Sequence, residues 1–333
     1  MTPADPATPT LQGGDADRRE APAARGPAVG AAGQVERCAA AARRRSDQMY
    51  ATAAPVHRWL LIEHPGPWGR DALRDSALDA AITGPLAARA AASKARVLLI
   101  RRRGRGVRMS RRRLAWVDSR PGREGLWWGS WAHQRDLLDV HPDQPAGAPS
   151  SEPVYLVCVH GRHDACCAIW GRPIAAVLAE LRPDAVWESS HIGGDRFAAN
   201  VLALPHGLYY GQVGAADVPD LVAGYEAGRV EPRLLRGRSS LPAVVQAAQH
   251  HARLALGEYR LDALSALDVR RTAAATWRVL LAHPEGPLAV TVRAERAAPI
   301  RLTCSSPQPE NPRVFRLLEL RQRPPGPPAT RAV

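Results

Sequence analysis

A chain of 333 residues with 45% apolar residues is long enough for two or three structural units and a substantial core. Its formal charge of +13 is nearly all arginine, Lys94 being the only lysine, so the basic balance reflects an Ala-, Arg- and Pro-rich composition and is a weak sign of nucleic-acid binding. Five cysteines, three of them clustered, fit a reduced metal or redox site better than the disulfide framework of a small secreted domain.

Residues 1–34 are rich in Ala, Pro, Gly, Asp and Arg and show no hydrophobic period, which predicts a disordered N-terminal tail. They contain no apolar secretory core, and nothing in the chain has the apolar length of a membrane span. The expectation is a cytoplasmic protein with no membrane association.

Residues 35–148 read as an N-terminal α/β unit. Arg58–Glu63 predicts a strand, His64-Pro65-Gly66-Pro67 a turn, and Arg70–Ala92 a helix broken at Gly84-Pro85. Arg96–Ile100, Leu114–Val117 and Leu126–Trp131 predict further strands. Between two of them lies Arg101–Arg113, RRRGRGVRMSRRR. Such a run can neutralise phosphates or dock an acidic redox partner, but a solvated hairpin is the simpler reading and a nucleic-acid partner is not expected. His141–Ser151 reads as a linker.

Residues 149–235 form the central unit, on which the chemistry converges. Val154–Val159 is an apolar, β-branched and aromatic run that predicts a buried strand with Cys158 near its end. The loop His160-Gly161-Arg162-His163 follows, and Asp164 is a good N-cap for a helix whose first turn holds Ala165, Cys166 and Cys167. Unpaired N–H groups at that position favour thiolate over thiol. Gly171 and Pro173 predict a kink or restart. Ala185–Ser190 is a second short strand, and His191-Ile192-Gly193-Gly194-Asp195 the next loop. Asn200–Leu204 and Leu208–Gln212 flank Pro205-His206-Gly207 as a hairpin, and Asp217–Ala227 closes the unit as a helix. The order β-α-β-loop-β-β-α is that of a thioredoxin-like domain without its second helix. It lets Cys158, Cys166 or Cys167, His191 and Asp195 meet at one end of the sheet. The N-terminal unit echoes this order without the cysteines, and reads either as a degenerate thioredoxin-like half or as an ordinary α/β unit.

Each candidate has a plainer reading. A free Cys also packs as a small hydrophobe, a single His is more often a cap or solvent-exposed, and Asp195 is an equally good N-cap or partner for Arg196. Strand-end and helix-start positions favour ligation by the cysteines, and Gly193 and Gly194 let the backbone near His191 approach a bulky group. Cys166 and Cys167 stand about 100° apart on a helix and do not both face one ligand. His160 and His163 remain as supporting donors or as substitutes for Asp195.

Residues 236–322 predict a small α+β region. Ser240 would cap a helix through Leu241–Leu256 with Pro242 in its first turn, and Leu261–Arg271 would be another helix. Thr276–Ala282 and Leu288–Ala294 alternate around Pro284-Glu285-Gly286-Pro287 as a hairpin, and Ile300–Cys304 adds a strand. Residues 323–333 are a Pro-rich tail.

The central stretch resembles the sucrase/ferredoxin-like family. The matching pieces are Val157-Cys158-Val159-His160-Gly161, Asp164-Ala165-Cys166-Cys167, the run from Trp187 through Phe197, and Asn200–Pro205. Weaker likeness extends to Arg58–Gly69 and Arg236–Ser239. The resemblance implies a thioredoxin-like ferredoxin domain binding a [2Fe-2S] cluster, with Cys158, Cys167 and His191 as ligands; the family's fourth ligand, a His four residues later, falls on Asp195. It implies a one-electron carrier rather than an enzyme, with a redox protein such as a flavin-containing reductase as partner. No G-x-G-x-x-G stands at a strand–helix turn, so electrons are not expected directly from NAD(P)H. No carboxylate pair stands out as a glycosidase acid and nucleophile. The alternative is a cluster-free thiol-redox or Zn-binding protein using Cys166/Cys167. Vicinal cysteines make a strained disulfide and not the Cys-x-x-Cys of a dithiol reductase.

Overall fold

The computed structural model describes residues 36–104, 111–306 and 308–322. The tails expected over residues 1–34 and 323–333 lie outside the described residues, as does the middle of the arginine-rich stretch, 105–110.

A short helix, α1 (Cys38–Arg45), buries Cys38, Ala39, Ala41 and Ala42. Then β1 (Arg58–Glu63) crosses through α2 (Ala80–Ala92) to β2 (Ala95–Arg101), which pairs with it in parallel. β3 (Arg112–Asp118) and β4 (Gly125–Trp131) follow antiparallel on the other side of β1, and β5 (Ala148–Pro149) edges β4. The pattern then recurs. β6 (Val154–Cys158) crosses through α3 (Ala165–Leu181) to the parallel β7 (Val186–Ser189), and β8 (Val201–Leu204) and β9 (Leu208–Tyr210) follow antiparallel beyond β6. α4 (Val218–Glu226) and the edge strand β10 (Leu235–Arg238) close this half.

The two halves share one strand order, β4-β3-β1-β2 and β9-β8-β6-β7. They join where β2 and β7 pair antiparallel, through Ile100↔Ser189 and Arg101↔Glu188, giving a ten-stranded mixed sheet. The second half has the β-α-β-loop-β-β-α order expected from the sequence, and the first half repeats its strand order.

The interior strands are covered on both faces, which is why β1 and β6 read as continuous apolar runs rather than alternating ones. Leu60, Ile62, Tyr155 and Val157 pack against Ile82 of α2, Ile174 and Leu178 of α3 and Leu221 of α4. Trp59, Leu61, Leu156, Cys158 and Trp187 face the other way and are closed over by Ala53 and Val56. The C-terminal region packs Val245, Ala248 and Ala252 of α5 (Ala243–Leu256) on a four-stranded antiparallel sheet. Its strands are β11 (Ala266–Ala273), β12 (Thr276–Leu281), β13 (Leu288–Arg296) and β14 (Arg313–Gln322). The expected hairpin is β12–β13, with Leu281 opposite Leu288. Among the described residues no helix is long and apolar enough to cross a membrane.

Several expectations are corrected. Residues 70–79 are turns, and α2 starts only at Ala80, where the Asp79 carboxylate accepts the Ala81 N–H at 2.9 Å. It continues through Gly84-Pro85, because buried Ile82, Leu86 and Ala90 hold it to the sheet and outweigh the hydrogen bond that proline forfeits. α3 likewise runs unbroken through Gly171 and Pro173. The helix expected over Leu261–Arg271 is replaced by β11, an edge strand whose mostly exposed side chains carry little apolar signal. Pro242 occupies the N-cap position of α5, and the Ser240 hydroxyl accepts from Arg238 instead. Ile300–Cys304 contributes a single bridge, Ile300↔Glu310, and Cys304 lies in a turn.

Gly171 is required by packing. A Cβ there would sit 2.1 Å from the Cys158 carbonyl oxygen, so α3 can lie this close to the end of β6 only with glycine at the contact. Gly171→Ala is expected to lower the unfolding free energy by about 1–3 kcal/mol, as overpacking does, measured by urea titration. An unchanged midpoint would mean that the helix can retreat from β6 freely.

Candidate metal centre

β6 ends at the buried Cys158, and the loop 160–163 leads to Asp164. The Asp164 backbone is extended (φ −147°, ψ 132°) and its Oδ1 accepts the Cys166 N–H at 2.8 Å, so it caps α3 as the sequence predicts. The helical step of about 100° per residue then sends neighbouring side chains to different sides: Cys167 turns towards Cys158, Cys166 away from it. β7 delivers the third piece, the loop His191–Asp195. Gly193 (φ 105°) and Gly194 (φ 84°) take left-handed conformations open to glycine. A Cβ at Gly194 would also strike the Arg236 guanidinium at 2.5 Å.

All four candidate residues meet. The sulfurs of Cys158 and Cys167 and a ring nitrogen of His191 lie within 4.8 Å of one another. Asp195 Oδ1 accepts a hydrogen bond from Cys167 Sγ at 3.0 Å and stands 3.0 Å from His191 Nδ1. Among the described residues this buried nitrogen makes the Asp195 ion-pair contact but no hydrogen bond. Cys158, Cys167 and Asp195 are enclosed, whereas the side chains of His191 and His163 are 20% and 34% exposed.

The charges are strongly coupled. The interaction with the Cys167 sulfur, reinforced by His191, holds Cys158 well below an ordinary thiol against the effect of burial. Cys167 is pushed up by the same interaction and by burial. Burial works against a charged His191, but the Asp195 carboxylate and the Cys158 sulfur raise it to about 9. Burial equally opposes ionisation of Asp195, and His191 with the Cys167 thiol holds it below the usual carboxylate range. A metal ion would take the place of the shared protons, since ligation needs thiolates and a neutral imidazole.

The surrounding groups fix the two loops. His160 Nε2 lies 2.8 Å from the Gly69 carbonyl and therefore carries the proton, which leaves Nδ1 to accept the His191 backbone N–H at 3.2 Å. His163 stacks on His191 with ring centroids 3.7 Å apart, and its Nε2 is 3.8 Å from Asp195. From β2, Arg96 donates to the carbonyls of His191 and Ile192 at 2.6 and 3.1 Å. Arg236, almost fully buried, donates to the Gly193 carbonyl, Asn200 Oδ1 and the Thr52 carbonyl at 2.7–2.9 Å. Arg236 and Gly69 both fall in the stretches of weaker family likeness, whereas Arg96 carries no local signal.

Cys166, kept in reserve for this centre, instead faces Cys38 and Cys304, two cysteines that the sequence pattern did not single out. Several described arginines at either end of the arginine-rich stretch are engaged within the chain. Arg101 pairs with Glu188 at 2.8 Å, Arg102 covers Trp187, and Arg112 and Arg113 cover Trp131 and Trp128.

A comparison with curated proteins found no match. Among solved structures, the thioredoxin-like [2Fe-2S] ferredoxin from Aquifex aeolicus is 20% identical over 28% of this chain and 97% of its own, with a TM-score of 0.25. A cysteine-to-serine variant of that ferredoxin is 21% identical over 25% of this chain and 97% of its own, with a TM-score of 0.23. The family model described as Sucrase/ferredoxin-like matches residues 49–237, more than half of the chain and inclusive of all four meeting residues. The chain belongs to the sucrase/ferredoxin-like family.

Proposed function

We propose that this protein is a one-electron carrier that holds a [2Fe-2S] cluster on Cys158, Cys167, His191 and Asp195. The observation that carries this reading is the meeting of two buried thiols, a carboxylate and an imidazole whose buried nitrogen lacks a hydrogen bond, within the stretch that matches the family. The donor chemistry fits, since mixed Cys and His ligation is a known way to hold such clusters. Bound there, the cluster supplies reversible one-electron transfer with a redox protein such as a flavin-containing reductase.

The chain's own residues set the conditions. Enclosure of both cysteines and Asp195 keeps water from the sulfurs. His191 and His163 form the edge nearest solvent, so a partner would approach there. His160, Arg96 and Arg236 lock the loop that presents His191, so the donors need little reorganisation. Asp195 brings a negative charge where the family places a neutral His, which favours the oxidised state.

A second reading has one observation in its favour. Donors held within 4.8 Å of one another, with Asp195 3.0 Å from both Cys167 Sγ and His191 Nδ1, are spaced as for a single tetrahedral ion such as zinc. Two bridged irons require the thiol pair and the His–Asp pair to stand farther apart.

Anaerobic purification with iron, sulfide and zinc assays separates the two. Two irons and two sulfides per chain, visible absorbance and an EPR signal after dithionite are expected. Cys158→Ser, Cys167→Ser and His191→Ala should each abolish them. A colourless protein that reconstitution cannot load, carrying zinc lost on the same substitutions, would establish the mononuclear reading instead. In the iron-loaded protein, Asp195→His should raise the reduction potential measured by spectroelectrochemical titration, because a neutral ligand replaces an anion. A lowered or unchanged potential would remove Asp195 from the ligand set.

A further inference from the structure

The first turn of α3 faces two ways, and its second direction is unused by the function proposed above. Cys38, the first residue of α1, Cys166 in α3 and Cys304 in the turn before β14 come from three distant parts of the chain. Their sulfurs form a nearly equilateral triangle: Cys38–Cys166 3.6 Å, Cys166–Cys304 3.5 Å and Cys304–Cys38 3.5 Å. Asp164 closes it, with Oδ2 3.8 Å from Cys38 Sγ. All four donor atoms lie within 4.8 Å of one another. We propose that Cys38, Cys166, Cys304 and Asp164 form a second metal site, a structural zinc centre distinct from the one at Cys158 and His191.

The spacing identifies the class of ligand. A tetrahedral zinc with Zn–S bonds of about 2.3 Å sets its thiolates about 3.8 Å apart, and these sulfurs already stand within a few tenths of an ångström of that. A disulfide would need one pair at about 2.05 Å, and all five cysteines are free. A cubane cluster, with each thiolate on a different iron, would spread the sulfurs far beyond this triangle. Three soft sulfurs and one carboxylate oxygen suit zinc over magnesium or calcium, which take oxygen ligands. Four protein donors fill a tetrahedron, so the site has no open position for a substrate and its role is structural.

The surroundings agree. Asp164 is fixed in place, its Oδ1 by the Cys166 N–H at 2.8 Å and its Oδ2 by the Cys304 N–H at 2.6 Å. Among the described residues, the buried apolar cluster around the cysteines adds Ala39 and Ala198, too small a cluster to hold three segments together by burial. α1 has eight residues and is far too short to be stable alone. Among the described residues, the other ties of the loop leading to Cys304 run between its own two arms: the Ile300↔Glu310 bridge, the Ala297 N–H to the Pro312 carbonyl, and the Asn311 amide to the Ala297 carbonyl. A zinc ion, taken up with release of the three thiol protons, would pin both segments to the start of α3.

The test uses the full chain purified without chelator from zinc-supplemented cells. One zinc per chain beyond any metal at the first centre is expected, and absorption at the zinc K-edge should report three sulfurs at about 2.3 Å and one oxygen. Cys38→Ser and Cys304→Ser should each lose that zinc while leaving iron and sulfide unchanged. Cys158→Ser with Cys167→Ser should strip the first centre and keep the zinc, whatever the first centre proves to hold. Should the cysteine variants fail to fold, the wild-type zinc count and edge spectrum still decide. Absence of zinc after incubation with zinc salt, a disulfide among the three cysteines by mass spectrometry, or zinc lost only with Cys158 and Cys167 would each overturn the proposal.

Discussion

The capped first turn of α3 is the contact on which the site depends. Asp164 accepts the Cys166 N–H and so ends the loop at a fixed residue. That sets the phase of the helix, and the phase decides which thiol meets Cys158. A one-residue shift of the cap would turn Cys167 out of the centre and bring a different side chain to Cys158 and His191. Gly171 enforces the same geometry from the next turn, because it lets α3 settle against the Cys158 carbonyl.

The second constraint is electrostatic. A buried carboxylate beside a buried thiolate is costly unless hydrogen bonds and opposite charge compensate it. His191 supplies one positive charge, raised to about 9 by these same neighbours. Arg236 supplies another, burial lowering it only to about 10, so it stays charged at neutral pH. Among the described residues its donors go to carbonyl, amide and hydroxyl oxygens of the loops around the centre rather than to an acid. One side chain thus stiffens the His191 loop and offsets the charge that the loop encloses.

The repeated topology shows how one half kept the chemistry. Cys167, third after the cap Asp164, corresponds in helix position to Ile82, third after the cap Asp79. On the sheet face that carries Cys158 in the second half, β1 carries Trp59 and Leu61, and Ile82 is buried in the core shared with the helices. The first half has apolar packing where the second has thiols, and it serves the centre through the Gly69 carbonyl and Arg96 instead. The β2–β7 pairing brings those supports within reach.

The sequence by itself determined the elements of the central half, and the family resemblance it carries pointed to the four residues that meet there, local signals leaving Cys166 and Cys167 as alternatives. Strand runs, an Asp cap and paired glycines are local signals, written within a few residues of one another. The same local reading placed the strands of the first half and the β12–β13 hairpin. It failed where local signals mislead: prolines inside α2 and α3 are tolerated because burial outweighs one lost hydrogen bond, and the exposed edge strand β11 has no apolar period to read. Only the tertiary structure decided which way Cys166 points, because its partners Cys38 and Cys304 lie 128 and 138 residues away. It alone joined the two halves into one sheet and gave Arg236 and Arg96 their roles. Such contacts depend on how elements pack and not on the spacing of residues along the chain.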